Sequence, residues 1–364
     1  MTVQVPLVDL DRQTEEIRAD VEAGWSGVLE RSAFILGSEF AEFEASFARF
    51  CEAQFCMGVA NGTDAIELAL RAAGIGRGDE VLIPANTFIA TALAVLRAGA
   101  EARLVDCDPA TYLMDQGEAV ARLNRKSRAV VPVHLFGQIA PGDDLITVPD
   151  LVMIEDAAQA QGARRHGRAI GSFGIAAATS FYPGKNLGAF GDAGAIVTND
   201  PELAKKVSAL RNWGSTEKYH HPEVGFNSRL DTLQAVVLSA KLARLTQWNE
   251  ERVKAASLYD QMIDDRAKPP ITLPGNDHVF HLYVIEVDDR DTVMAKMQQA
   301  GIGVGVHYPV PIHLQGALGH LGHKVGDFPN TERAAQRMLS LPLFPGITES
   351  EQEQVVEALF AAIG

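Results

Sequence analysis

The chain alternates short apolar runs with longer segments whose apolar residues recur every three or four positions. Residues 12–31 and 38–54 carry the helical spacing, and Ser38 followed by Glu42 and Phe43 marks a helix start. Phe43, Phe47 and Phe50 repeat at that spacing and read as core. Apolar runs at 55–60, 81–84, 102–105, 129–133 and 151–154 read as strands, with helical segments at 65–73 and 87–98 between them. Further strands are expected at 175–179 and 195–198. This alternation over about 55–200 predicts a mostly parallel sheet flanked by helices. Asp200-Pro201-Glu202 opens another helix, with a capping residue and a proline at the first position. Residues 231–263 read as one or two long helices, with Leu230, Leu233, Val237 and Leu245 on one stripe. After Lys268-Pro269-Pro270 come a strand (279–287), a helix (291–300), a short strand and a final helix. Thr348 and Glu351 give that last helix a capping box. The expected fold is α/β, with a large domain over 1–249 and a smaller C-terminal α+β domain over 250–364.

Composition narrows the function classes. The 364 residues, 47% of them hydrophobic, are enough for a large core. With 32 basic against 47 acidic residues the formal charge is −15. Such an acidic chain is a poor binder of nucleic acid or anionic membranes, so an anionic ligand must be met by local donors. The opening residues MTVQVPLVDLDRQ have neither the basic start nor the apolar stretch of a signal peptide. No apolar run approaches the roughly 20 residues of a membrane span. Cys51, Cys56 and Cys107 are odd in number and lack metal-ligand spacing, which suits reduced cysteines in a cytoplasmic protein.

Candidate chemistry centres on Lys185. It follows a Pro183-Gly184 turn between two apolar strands and is succeeded by Gly188, Gly191 and Gly194. Burying an ammonium is costly, and the chemistry that wants a neutral lysine is imine formation with an aldehyde cofactor or a ketone. A solvated loop lysine is the alternative. Asn61-Gly62-Thr63-Asp64 lies between a strand and a helix, where free amides suit a phosphate, although an ordinary strand-to-helix turn looks the same. Glu155 and Asp156 end an apolar strand, the position of the ligand crevice in parallel sheets; helix capping is the other use of an Asp there. Asp156 and Lys185 together form the working pair of a pyridoxal phosphate (PLP) enzyme: a carboxylate for the pyridine nitrogen and an imine-forming amine. Asn227-Ser228-Arg229-Leu230-Asp231, a polar turn opening the long helix, is a further phosphate candidate.

These blocks resemble the fold type I PLP-dependent aminotransferases of nucleotide-linked keto sugars, the DegT/DnrJ/EryC1/StrS family. NGTDAIELAL, PANTFIATA, EDAAQAQGA, SFYPGKNLGAFGDAGAIVTND and GFNSRLDTLQA carry the resemblance over essentially the whole chain. It implies that Lys185 is the imine-forming base, with Tyr182 beside it, and that Asp156 partners the pyridine nitrogen. Phe88 would stack on the ring, Gln159 would meet its 3-hydroxyl, and Gly62, Thr63 and Ser180 would hold the phosphate. Asn227 would reach that phosphate from a neighbouring subunit, implying a homodimer with shared sites. Gln161 departs from the histidine usual in the family. VHLFGQ, RNWGSTEKYHH and HYPVPIHLQ resemble the subgroup that aminates dTDP-linked 3-keto-6-deoxyhexoses at C3. There Lys218, Tyr219, His307 and Tyr308 would contact the substrate, with L-glutamate as amino donor and 2-oxoglutarate as its product. Lys218 also suits a solvated loop, and amination at C4 stays open.

Competing readings are less consistent with the residues. His307 and His313, or His320 and His323, lack the further ligands of a metal site. GIGRGD and GIGVGV are not dinucleotide fingerprints, since neither has Gly or Ala at the sixth position nor joins a first strand to a helix. Family members that remove water from the sugar replace the lysine with histidine, whereas this chain keeps Lys185. A PLP-retaining regulatory protein without catalysis remains an alternative.

Overall fold

The computed structural model describes residues 4–364. Two helices lead, α1 (Leu10–Arg31) and α2 (Ser38–Phe50). The Asp9 carboxylate caps α1 by accepting the N–H groups of Asp11 and Arg12. Helix α2 begins at Ser38 as its sequence suggests, but Gly37 is the cap and the Ser38 hydroxyl bonds Glu39 instead. It stops at Phe50, short of 54, because Glu52 takes a left-handed φ of 57°.

Strand and helix then alternate through β1 (Phe55–Val59), α3 (Gly62–Ala72), β2 (Glu80–Pro84), α4 (Ile89–Ala98) and β3 (Glu101–Val105). A short α5 (Gln116–Ala121) precedes β4 (Ser127–Val130) and β5 (Val152–Asp156). Two-residue strands β6 (Arg164–Arg165) and β7 (Arg168–Ala169) lead to β8 (Ala176–Ser180) and β9 (Gly194–Thr198). Helix α6 (Pro201–Leu210) opens as expected, with Asp200 accepting two backbone N–H groups and proline in the first turn. The 231–263 segment is two helices, α7 (Thr232–Leu242) and α8 (Leu245–Met262).

The seven-stranded sheet has the order β1-β9-β8-β5-β4-β2-β3. Strand β9 runs antiparallel to both neighbours and every other pair is parallel. Period-two alternation explains why its strands read as continuous apolar runs, since both faces are covered. Met57, Ala176, Ala178 and Ile196 pack on one side with α3 and α4. Cys56, Ala177, Ala195 and Val197 pack on the other with the Phe40, Phe43 and Phe47 stripe of α2 and with α7. Parallel strands end on one side, so the segments after β1, β2, β4, β5 and β8 converge there.

The remainder comprises β10 (Asn276–Asp277), β11 (Tyr283–Glu286), α9 (Arg290–Gln299), α10 (Pro329–Arg337), β12 (Met338–Leu341) and α11 (Glu349–Ile363). Strand β10 pairs with β6, and β11 with β12. The strand expected at 279–287 is shorter because Val279 and Leu282 donate their N–H groups to Gly137 and Phe136 instead of a sheet partner. Helix α10 has no counterpart in the sequence expectations. Tyr259, Tyr283, Ile285, Leu339, Leu341 and Leu359 form a separate apolar cluster. The capping box at Thr348 and Glu351 is present. No described helix is long and apolar enough to cross a membrane.

Candidate active site

A cavity of about 530 Å³ lies at the carboxyl ends of the parallel strands. Asp156, the last residue of β5, forms part of its wall. Its neighbour Glu155 points to the opposite face, as alternation requires, where it accepts the N–H groups of Gly171, Phe173 and Gly174 and pairs with His134. Asp156 Oδ2 accepts the Thr91 hydroxyl at 2.8 Å and Oδ1 accepts the Ala158 N–H at 3.2 Å. Thr91 in turn lies 2.9 Å from the Thr87 hydroxyl. Burial pushes the Asp156 carboxyl above the ordinary range, against the opposing pull of these donors and of Lys185.

Lys185 stands in the loop between β8 and β9. Its N–H bonds the Tyr182 carbonyl at 2.8 Å, and Ala189 N–H returns to Phe181 at 2.8 Å. A Cβ on Gly188 would lie 2.2 Å from the Pro183 carbonyl oxygen, so this tight loop requires glycine there. The lysine side chain is half-buried and borders the cavity. Desolvation lowers its pKa to about 8, with Asp156 opposing the shift.

The start of α3 forms one end of the cavity. Asn61 Oδ1 accepts the Asp64 N–H at 2.8 Å, leaving the first amides, at Gly62 and Thr63, for other partners. A Cβ on Gly62 would fall 2.6 Å from Ser180 Cβ, so glycine lets the end of β8 meet this helix start. Gly62, Thr63 and Ser180 all line this cavity.

The opposite wall brings His307 and Tyr308 together with Phe88 and Gln159. Phe88 is extended (φ −66°, ψ 145°), which is why α4 starts two residues after the expected 87. Its ring centroid is 5.2 Å from that of Tyr308. Gln159 Oε1 accepts the Phe136 N–H at 2.6 Å and Nε2 donates to the Tyr308 hydroxyl at 3.1 Å. Burial raises the Tyr308 pKa and, with the nearby Lys185 charge, lowers that of His307 to about 4. Gln161 is fully buried; Nε2 donates to Thr179 Oγ1 and the Ser180 carbonyl, while Oε1 has no partner among the described residues.

Tyr182 borders the cavity and is exposed. Lys218 and Tyr219 do not reach this cavity within one chain. They line a separate surface depression with Trp213 and Val224. Asn227 is exposed and pairs with Asn212, away from the cavity wall. Thr91, Asp192 and His281 belong to the site region and were absent from the sequence candidates. PANTFIATA carried Thr91 in plain view, but nothing local marks one helical threonine as a carboxylate donor. His313 pairs with Glu332 and His323 with Asp327. Among the described residues no three His, Cys, Asp or Glu side chains gather as a metal-binding set.

The donor set fits PLP: a buried carboxylate for a pyridinium, a lysine held near neutrality, an aromatic face and a helix start for the phosphate. Residues 13–360 match the DegT/DnrJ/EryC1/StrS aminotransferase family. The chain is 42% identical to "dTDP-3-amino-3,4,6-trideoxy-alpha-D-glucose transaminase" of Streptomyces venezuelae, covering 98% of this chain and 96% of that one. It is 43% identical to "Pleiotropic regulatory protein" of Geobacillus stearothermophilus, over 98% of each. The crystal structure of S. venezuelae DesV in complex with a ketimine intermediate superposes with a TM-score of 0.96 at 42% identity, covering 100% of this chain and 99% of that one. The structure of ntda from Bacillus subtilis, 31% identical with a TM-score of 0.92, holds the amine form of PLP. The chain therefore belongs to the DegT/DnrJ/EryC1/StrS aminotransferases and is a PLP-dependent sugar transaminase of fold type I.

Proposed function

We propose that the enzyme moves the amino group of L-glutamate to C3 of a dTDP-linked 3-keto-6-deoxyhexose. The products are 2-oxoglutarate and a dTDP-3-amino-3,6-dideoxyhexose. The observation that carries this reading is the shared cavity of Lys185, at a pKa of about 8, and the buried Asp156. The name of the S. venezuelae relative, a 3-amino sugar transaminase, supports the position of amination.

PLP, when bound, supplies an aldehyde for the amino group to join and an electron-withdrawing ring. Asp156 would keep the pyridine nitrogen protonated, and the Thr91 hydroxyl favours the ionised form of that carboxylate. Phe88 would cover the ring and Gln159 would face its 3-hydroxyl. The amides of Gly62 and Thr63 and the Ser180 hydroxyl would hold the phosphate. Lys185 Nζ takes the proton from the amine-bearing carbon of the donor and returns one to the sugar carbon, a task suited to an amine that titrates near neutrality. Tyr182 would orient that amine. One site serves donor and acceptor in turn, so kinetics should be ping-pong.

The same proposal covers assembly and substrate contacts. Asn227 of a second copy would complete the phosphate site, and Lys218 and Tyr219, with His307 and Tyr308, would meet the nucleotide and sugar. Lys218, Tyr219 and Asn227 lie outside the cavity of their own chain, which suits a homodimer with shared sites. The unit boundary at 249/250 would then fall within α8, making that helix the link. The setting would be cytoplasmic supply of an amino sugar for a glycosylated natural product or surface polysaccharide.

The test is direct: enzyme, PLP, L-glutamate and the 3-keto sugar should yield 2-oxoglutarate and a C3 amine located by NMR, and Lys185→Ala should yield neither. Amination at C4 is the second reading. The regulatory name of the Geobacillus relative motivates a third, in which PLP is retained without turnover.

A further inference from the structure

Several polar groups on the cavity wall already have partners. Gln159 is engaged at both ends, the Thr91 hydroxyl is given to Asp156, and Ser180 Oγ accepts the Tyr182 N–H. His281 differs. The residue lines the cavity and its Nδ1 lies 3.2 Å from Asn186 Oδ1. Its Nε2 has no protein partner among the described residues, yet it is not sealed from solvent as Gln161 Oε1 is.

The chemistry of the neighbours fixes which nitrogen carries hydrogen. Asn186 Nδ2 lies 3.0 Å from the Val279 carbonyl oxygen and 2.9 Å from Asn249 Oδ1. A carbonyl only accepts, so the amide nitrogen belongs there and Oδ1 faces His281. Asn249 is oriented in the same way, because its Nδ2 donates to the Gln161 carbonyl at 2.9 Å. Asn186 Oδ1 is an acceptor, so His281 Nδ1 must donate. Burial, together with the positive charges of Lys185 and Arg252, holds His281 well below the ordinary histidine pKa, and the ring is neutral. A neutral imidazole with hydrogen on Nδ1 has a bare lone pair at Nε2. His307 has no such lock, because its Nδ1 faces the Ser340 hydroxyl, which can donate or accept.

We propose that His281 is a specificity-determining residue: its Nε2 accepts a hydrogen bond from a ring hydroxyl of the sugar substrate. The inference rests on the sugar reading above. Asn186, the chain neighbour of Lys185, is the positioning residue that sets the tautomer. A neutral acceptor suits a neutral hydroxyl and repels a carboxylate, so this wall favours the sugar over the acid groups of the amino donor.

Nitrogen-15 NMR of the PLP-loaded enzyme should place the His281 hydrogen on Nδ1 at neutral pH. Adding the keto sugar without an amino donor should shift the Nε2 signal. Calorimetry then compares the keto sugar with analogues that each lack one ring hydroxyl. The wild-type enzyme should lose about tenfold in affinity for one analogue. His281→Phe should bind that pair alike, and His281→Gln, whose carbonyl can accept, should recover the preference. Hydrogen on Nε2 in the free enzyme, or a Phe variant that discriminates as the wild type does, overturns the role of His281. A wild-type enzyme that binds no nucleotide sugar overturns the substrate reading too, and its NMR tautomer separates the two failures.

Discussion

Thr91→Val removes the hydroxyl that donates to Asp156 at 2.8 Å while keeping the shape of a side chain only 1% exposed. A hydrogen bond to an ionised group contributes about 1.5–3 kcal/mol, and one pKa unit corresponds to about 1.4 kcal/mol. Asp156 already titrates above the ordinary carboxylate range because burial disfavours its charge. Losing Thr91 should raise it further, because the donor that favours the charged form is gone. An acid with a raised folded pKa holds its proton more tightly when folded, so stability falls as pH rises from the unfolded value through the folded one. In cofactor-free protein the variant should therefore be close to wild type at acid pH and weaker by about 1.5–3 kcal/mol above that window. Urea unfolding across a pH series measures the difference. A deficit of equal size at every pH would refute the assignment, because lost packing would give that result without involving the carboxylate.

Three further outcomes follow from the same geometry. Lys185 and Lys241 both have pKa values lowered to about 8 by burial, so the folded cofactor-free chain gives up these protons earlier than the unfolded one. Its thermal midpoint should gain from these two groups between about pH 8 and 10.5, and Lys185→Met should reduce that gain without abolishing it. Gly62→Ala puts a methyl 2.6 Å from Ser180 Cβ; such overpacking costs about 1–3 kcal/mol, and PLP affinity by equilibrium dialysis should fall about tenfold or more. Unchanged affinity would remove the α3 start from the cofactor site. Gln161→Leu strips the donor from the buried Thr179 hydroxyl and Ser180 carbonyl and should cost about 1–3 kcal/mol in denaturant unfolding.

The sheet was legible because its central strands are buried on both faces and leave unbroken apolar runs. Lys185 and Asp156 were legible because their types conflict with their surroundings: an ammonium and a carboxylate at the ends of core strands. Helix α10 was harder to see, since its buried residues Thr331, Ala334 and Ala335 are small and make a weak stripe. His281 was hidden for another reason. Its defining partner Asn186 is 95 residues away in the chain, and a histidine before an apolar strand otherwise reads as core. Glu155 and Asp156 look equivalent in sequence, and only the alternation of strand faces separates a structural carboxylate from one on the cavity. Lys218, Tyr219 and Asn227 show the limit of a single chain, because their proposed roles need a second copy.

The most direct measurement is a spectral half-reaction on the PLP-loaded enzyme. L-Glutamate should bleach the visible cofactor band, and the dTDP-linked 3-keto-6-deoxyhexose should restore it while the 4-keto isomer does not. Recovery with the 4-keto sugar alone would move amination to C4, and a band that no amino donor bleaches would contradict transamination itself.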